Sequence, residues 1–111
     1  MQFIRERRAV PRIKIFQPVE LALRDTKLRA HLLNISISGT LIYARTRVAF
    51  AERVVVRCDF ELGAARVMWS DGARIGVLFE QPLSQRQLDL LIADQERIAD
   101  AFANRIDAAM A

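Results

Sequence analysis

Fifteen of the seventeen basic residues in this 111-residue chain are arginines. The choice matters chemically. A guanidinium is a planar fork that pairs bidentately with phosphate or with a guanine edge and also stacks on a flat ring, none of which an ammonium does as well. Arg5, Arg7, Arg8, Arg12 and Lys14 crowd the first fourteen residues against one acid, Glu6. Such an arm suits an anionic ligand that carries flat rings, a nucleotide more than a membrane surface. Within it, Arg8-Ala9-Val10-Pro11-Arg12 sets two arginines four apart in a segment that Pro11 biases toward extended geometry. The spacing alone carries little weight, because this composition generates about two such pairs by chance. Arg53 and Arg57 make another inside a strand pattern.

A rarer arrangement is Asn34-Ile35-Ser36-Ile37-Ser38-Gly39, which arises by chance in about one sequence in a hundred of this composition. Asn and Ser supply short donors and acceptors, and Gly lets the backbone turn or approach a ligand closely. The plainer alternative is a polar turn that hydrogen-bonds itself.

Other chemistry is poorly provided for. One cysteine, Cys58, cannot close an intramolecular disulfide, and with the single histidine, His31, it cannot assemble a zinc site. Near His31 stand Asn34 and Ser36, but neighbours on one strand alternate faces and do not converge as a nucleophile and base must. With no paired acids, metal set or nucleophile–base arrangement, an enzyme is not expected, and neither a metal nor a cofactor is. The longest apolar runs fall far short of the roughly 20 residues that span a bilayer. The early arginines also leave no apolar core for a signal peptide. A soluble, cytoplasmic protein without membrane insertion is expected.

The elements that must position these residues follow from the hydrophobic period. Val19, Leu21 and Leu23 alternate with Glu20 and Arg24; Leu28, Ala30, Leu32 and Asn34 alternate with Arg29, His31 and Leu33. Gly39 to Ala44 makes a third strand, and Arg53 to Phe60 a fourth with Val54, Val56, Cys58 and Phe60 on one face. After a Leu62-Gly63 break come Ala65 to Trp69 and Arg74 to Glu80, joined at Asp71-Gly72 by an expected type I′ turn. Six short strands without an intervening helix predict a mainly β fold, an antiparallel barrel or sandwich. Beyond Pro82 the period changes. Ser84-Gln85-Arg86-Gln87 reads as a capping box, and Leu88, Leu91, Ile92, Gln95, Ile98, Ala99, Phe102 and Ile106 form one helical stripe. At 1.5 Å per residue a helix over 84–109 is about 39 Å long. A small barrel covers only part of that, so Phe102 and Ile106 either fray or pack on a second copy as a homodimer. One domain is expected: a basic arm over 1–14, a barrel over 18–81 and the helix over 84–109.

The chain resembles the PilZ domain family, bacterial receptors for the second messenger cyclic di-GMP. The resemblance is carried by Glu6-Arg7-Arg8-Ala9-Val10-Pro11-Arg12, by Asn34, Ser36 and Gly39, by Trp69 before a hairpin, and by Ile75-Gly76-Val77-Leu78-Phe79 as the last strand. It covers nearly the whole chain and implies a six-stranded antiparallel β-barrel with a C-terminal α-helix. It implies that Arg8 and Arg12 hold guanines and phosphates, and that Asn34 and Ser36 bond the second guanine or the sugar-phosphate ring. Gly39 would keep the turn open beneath. Arg7 goes with binding two stacked ligand molecules rather than one, and Trp69 matches an aromatic beside the ligand, or else a core residue at the barrel end. Asn34 stands where Asp is commoner, which removes a charge and keeps an acceptor.

Such a domain is expected to act by ordering its arm on the ligand and presenting a new surface to a protein effector. Two other readings remain: a ligand-independent protein-interaction module, and a small basic barrel that binds single-stranded nucleic acid on platforms such as Trp69 and Tyr43.

Overall fold

The computed structural model describes residues 12–110, with side chains to residue 103 except that of residue 102. Six antiparallel strands close into a barrel: β1 (Ile13–Ala22), β2 (Lys27–Ile35), β3 (Gly39–Ala44), β4 (Arg53–Arg57), β5 (Glu61–Asp71) and β6 (Arg74–Phe79), in the order β1-β2-β3-β6-β5-β4. The final seam pairs Glu20, Leu21 and Ala22 of β1 with Arg57, Val56 and Val55 of β4. Closure leaves no strand edge open along the seam, which short strands of Val, Ile and Leu require in water.

Alternation fills the interior. Val19 and Leu21, Ala30 and Leu32, Val54 and Val56, and Val67 and Ile75 point inward and are buried, while Glu20, His31 and Val55, which alternate with the first three pairs, are only half-buried. One end is sealed by α1 (Gln85–Met110), whose Leu88 and Leu91 join the core with Leu83. The capping box is present in both directions. The Gln87 N–H donates to Ser84 Oγ at 3.1 Å, and the Ser84 N–H donates to Gln87 Oε1 at 2.8 Å. No helix among the described residues is long and apolar enough to cross a membrane.

Four local expectations need correction. The barrel begins at Ile13, not residue 18, so residues 13 and 14 of the expected arm are strand. They were hard to recognise because a bulge lies between Lys14 and Gln17, and Gln17 is a polar residue pointing inward. Pro18 is tolerated within β1 because pairing with β4 starts only at Glu20. The fourth strand stops at Arg57, where the Cys58 N–H turns to the Phe60 carbonyl at 3.1 Å. The fifth strand runs through Gly63 instead of breaking there, with φ of 115°. Finally, the last hairpin turns at Gly72-Ala73, since Asp71 is already paired with Arg74. Only Gly72 there has positive φ, at 61°, the pattern of a type II′ turn.

Candidate functional site

Three of the barrel's strand irregularities lie along one outer row, in which Lys14, Asn34, Leu41, Gly76 and Trp69 are successive cross-strand partners. Simple alternation from Leu32 would send Asn34 into the core. A register shift between Leu32 and Asn34 instead turns it outward, and Ile35 takes the buried place. The same device acts on β5. Alternation from Ala65 and Val67 would bury Trp69, but the shift between Val67 and Trp69 leaves Met68 and Trp69 both about half exposed. A bulge re-aims side chains at the cost of local pairing, which is why bulges collect beside binding sites. Neither shift is visible in a period count, although the adjacent apolar pairs Leu32-Leu33 and Met68-Trp69 mark where each occurs.

The row borders a cavity of about 270 Å³. Arg12, Asn34, Ser36, Gly39 and Trp69, five of the seven residues singled out in the sequence, all line it. Arg7 and Arg8 lie outside the described residues. Ser38, Thr40, Leu41, Met68, Gly76, Val77 and Leu78, not expected at the site from the sequence, complete the described wall. Among the described lining residues Arg12 is the one cation, and there is no carboxylate. Arg12 is exposed and immediately precedes β1, so the strand fixes where its backbone enters the cavity rim.

Ser36 is built into the turn. It is only 5% exposed, and its Oγ accepts from the N–H groups of Ser38 (3.3 Å) and Gly39 (3.2 Å). Its N–H donates to the Gly39 carbonyl at 2.9 Å. Thr40 Oγ1 donates to the Asn34 carbonyl at 2.5 Å, which closes the two ends of the segment on each other. The Phe79 N–H to the Ser38 carbonyl (2.9 Å) and the Leu83 N–H to the Ile37 carbonyl (2.7 Å) then tie the turn to the barrel end. The self-bonded turn and the polar cavity wall are therefore the same structure. Ser36 holds the shape, and the Asn34 side chain stands on the outer face beside the cavity.

The two glycines at the site are there for close approach, not for unusual φ. A Cβ on Gly39 would strike the carbonyl oxygen of Val77 on β6. A Cβ on Gly76 would strike Nε1, Cε2 and Cδ1 of Trp69, so the indole lies flat across that strand. The result is a flat ring, a guanidinium and an amide around a carboxylate-free hollow. That combination can stack on a heterocycle, pair with an anion, and bond a heterocycle edge.

The model of one protein family, the PilZ domain, matches residues 6–94. That stretch includes Arg7, Arg8 and Arg12 of the arm, the Asn34–Gly39 turn, Trp69 and the start of α1 as far as Asp94. A comparison with curated proteins finds no match.

Proposed function

The chain belongs to the PilZ domain family, and on that premise we propose that it is a receptor for cyclic di-GMP that signals to a protein partner. The observation that supports this most is the common cavity of Arg12, Asn34, Ser36, Gly39 and Trp69. Cyclic di-GMP offers two guanine rings and two phosphates, and each finds a counterpart. Arg8 and Arg12 take a guanine edge or face and a phosphate; the Trp69 indole supplies a flat face; the Asn34 side chain bonds a guanine edge or the sugar-phosphate ring. Ser36 and Gly39 act beneath, Ser36 by fixing the turn and Gly39 by letting β3 approach β6. Arg7 belongs to a second stacked ligand molecule. No reaction is involved: the bound ligand changes the surface around the cavity, and that surface meets the partner. The role belongs in the bacterial cytoplasm, where this messenger acts.

Calorimetric titration of the full chain with cyclic di-GMP tests the reading. Saturable heat is expected, lost in both Arg8→Ala and Arg12→Ala, and a two-ligand stoichiometry should fall to one in Arg7→Ala. Absence of heat for the wild-type chain would overturn it and leave a ligand-independent interaction module.

A further inference from the structure

A second hollow, of about 560 Å³, opens on the outer barrel face and shares no lining residue with the cavity described above. Its distinctive side chains are Phe16, Arg29, His31, Tyr43, Arg45 and Arg74. The strands place them in order. His31 of β2 is the cross-strand partner of Tyr43 on β3, and Tyr43 is the partner of Arg74 on β6. Phe16, brought there by the β1 bulge, lies parallel to the His31 ring at 4.4 Å between centroids and 11° between planes. Phe16 is nevertheless 57% exposed and Tyr43 39%. Large aromatic surface left in water next to charge marks an interaction site.

No carboxylate is among the described residues that line the hollow. Among the described residues none of Arg29, Arg45 and Arg74 forms an ion pair with a carboxylate, whereas Arg53, Arg57, Arg66 and Arg97 all do. The nearest acids in register are Glu20, opposite Arg29, and Asp71, opposite Arg74, and neither lines the hollow. Exposed Phe16 and Tyr43 rings beside guanidiniums that form no ion pair among the described residues suit a ligand that alternates flat rings with anions. An acidic peptide would satisfy the arginines and leave the ring faces without a matching partner. A duplex satisfies the arginines but hides its base faces. A single strand satisfies both, through stacking on the rings and phosphate contacts to the arginines.

We propose that this groove is a binding site for single-stranded nucleic acid, with Phe16 and Tyr43 as stacking platforms and Arg29, Arg45 and Arg74 as phosphate contacts. The site is independent of the cyclic di-GMP reading, because no residue is shared. Fluorescence anisotropy of a labelled oligothymidylate of about twelve nucleotides with the full chain, beginning at about 50 mM salt, is the test. The wild-type chain should bind saturably. Phe16→Ala and Tyr43→Ala should each weaken binding by about 5- to 150-fold. Arg45→Gln and Arg74→Gln should each make the salt dependence shallower by about 0.7 in the log–log slope. All four changes are at exposed positions, and unchanged thermal unfolding of each variant separates loss of binding from loss of fold. Three results would overturn the proposal: no binding by the wild-type chain, binding that falls in Arg8→Ala and Arg12→Ala but not in the groove variants, or tighter binding of a labelled Glu-Leu peptide with the same variant sensitivity.

Discussion

The indole of Trp69 lies across Gly76, its cross-strand partner, so closely that a single added methyl at position 76 would overlap the ring. The ring is held at the cavity by a missing side chain on the neighbouring strand. Trp69 is also the chain's single tryptophan, so its emission reports on this place alone. Gly76→Ala should lift the ring from β6 and shift the emission spectrum, and it should weaken cyclic di-GMP binding although residue 76 carries no functional group. In the wild-type chain the ligand should quench Trp69. Unchanged emission in Gly76→Ala would mean that the ring does not depend on the glycine.

Arg12 and Arg53 separate an arginine that lines the cavity from one that faces an acid. Arg12 lines the cavity, while Arg53 Nε is 2.9 Å from Glu80 on the barrel surface. A bidentate arginine–guanine contact is worth about 1–3 kcal/mol, so Arg12→Ala should weaken binding roughly tenfold or more. Exposed ion pairs contribute about 0–1 kcal/mol, and Arg53→Ala should leave both affinity and melting temperature nearly unchanged. Calorimetry on the two variants in parallel makes the comparison.

Most of the barrel was legible because burial imposes a period of two on Val19-Leu21, Val54-Val56 and Ile75-Val77, and the helix because its stripe follows the Ser84 capping box. The residues of the candidate site were legible as types, since arginines, Asn34, Ser36 and Gly39 are chemically distinctive. Their directions were not. Asn34 and Trp69 reach the outer face through register shifts, and a shift of one residue inverts every inference drawn from alternation. Gly76 escaped notice for a related reason: its meaning lies in a ring seven residues away on another strand.

Ser36 carries a prediction about stability as well as affinity. Its buried hydroxyl accepts from two backbone N–H groups, those of Ser38 and Gly39. Ser36→Ala removes the shared acceptor, and leaving buried donors unsatisfied costs about 1–3 kcal/mol. A lower denaturation midpoint together with weaker ligand binding is expected from Ser36→Ala. In Asn34→Ala the affinity should fall with the stability little changed, because the bonds of that residue within the turn run through its carbonyl. Urea unfolding and calorimetry on both variants separate the role of shaping the turn from that of touching the ligand.

Burial pushes the Cys58 thiol above its ordinary pKa, outweighing its hydrogen bonds to the backbone. Its Sγ lies 3.4 Å from the Phe60 carbonyl, the acceptor of its hydrogen bond. With the folded value raised, the native chain keeps this proton at a pH where the unfolded chain has released it, so the thiol's share of stability declines as pH rises through the ordinary thiol range. Only the thiolate attacks an alkylating or disulfide reagent. Native protein near pH 8.5 should therefore react with Ellman's reagent more slowly than urea-unfolded protein, and Cys58→Ala should flatten part of the fall in stability on the alkaline side.

The attachment of α1 to β1 is polar at its centre, and that makes it fragile in a specific way. Gln17 and Asp94 are 3% and 8% exposed, and Gln17 Nε2 donates to Asp94 Oδ2 at 2.9 Å. Arg97 binds the other oxygen of Asp94, while Gln17 Oε1 has no hydrogen-bond partner among the described residues. One residue along β1, the Phe16 N–H donates to Gln95 Oε1 at 3.0 Å. The helix thus grips β1 at the bulge just beyond Arg12. Asp94→Ala would leave the whole Gln17 amide buried without a side-chain partner, and a cost of about 1–3 kcal/mol is expected. At about 4–8 °C per kcal/mol for a domain near this size, the melting temperature should drop clearly. Asp89→Ala, on the exposed side of the same helix, should stay within about 0.5 kcal/mol of the parent. Replacing both partners by apolar residues, as in Gln17→Leu with Asp94→Leu, should recover most of the loss, because no buried polar group then remains unpaired. If the double variant is as unstable as Asp94→Ala, the cost lies in the lost Arg97 contact and not in the orphaned amide.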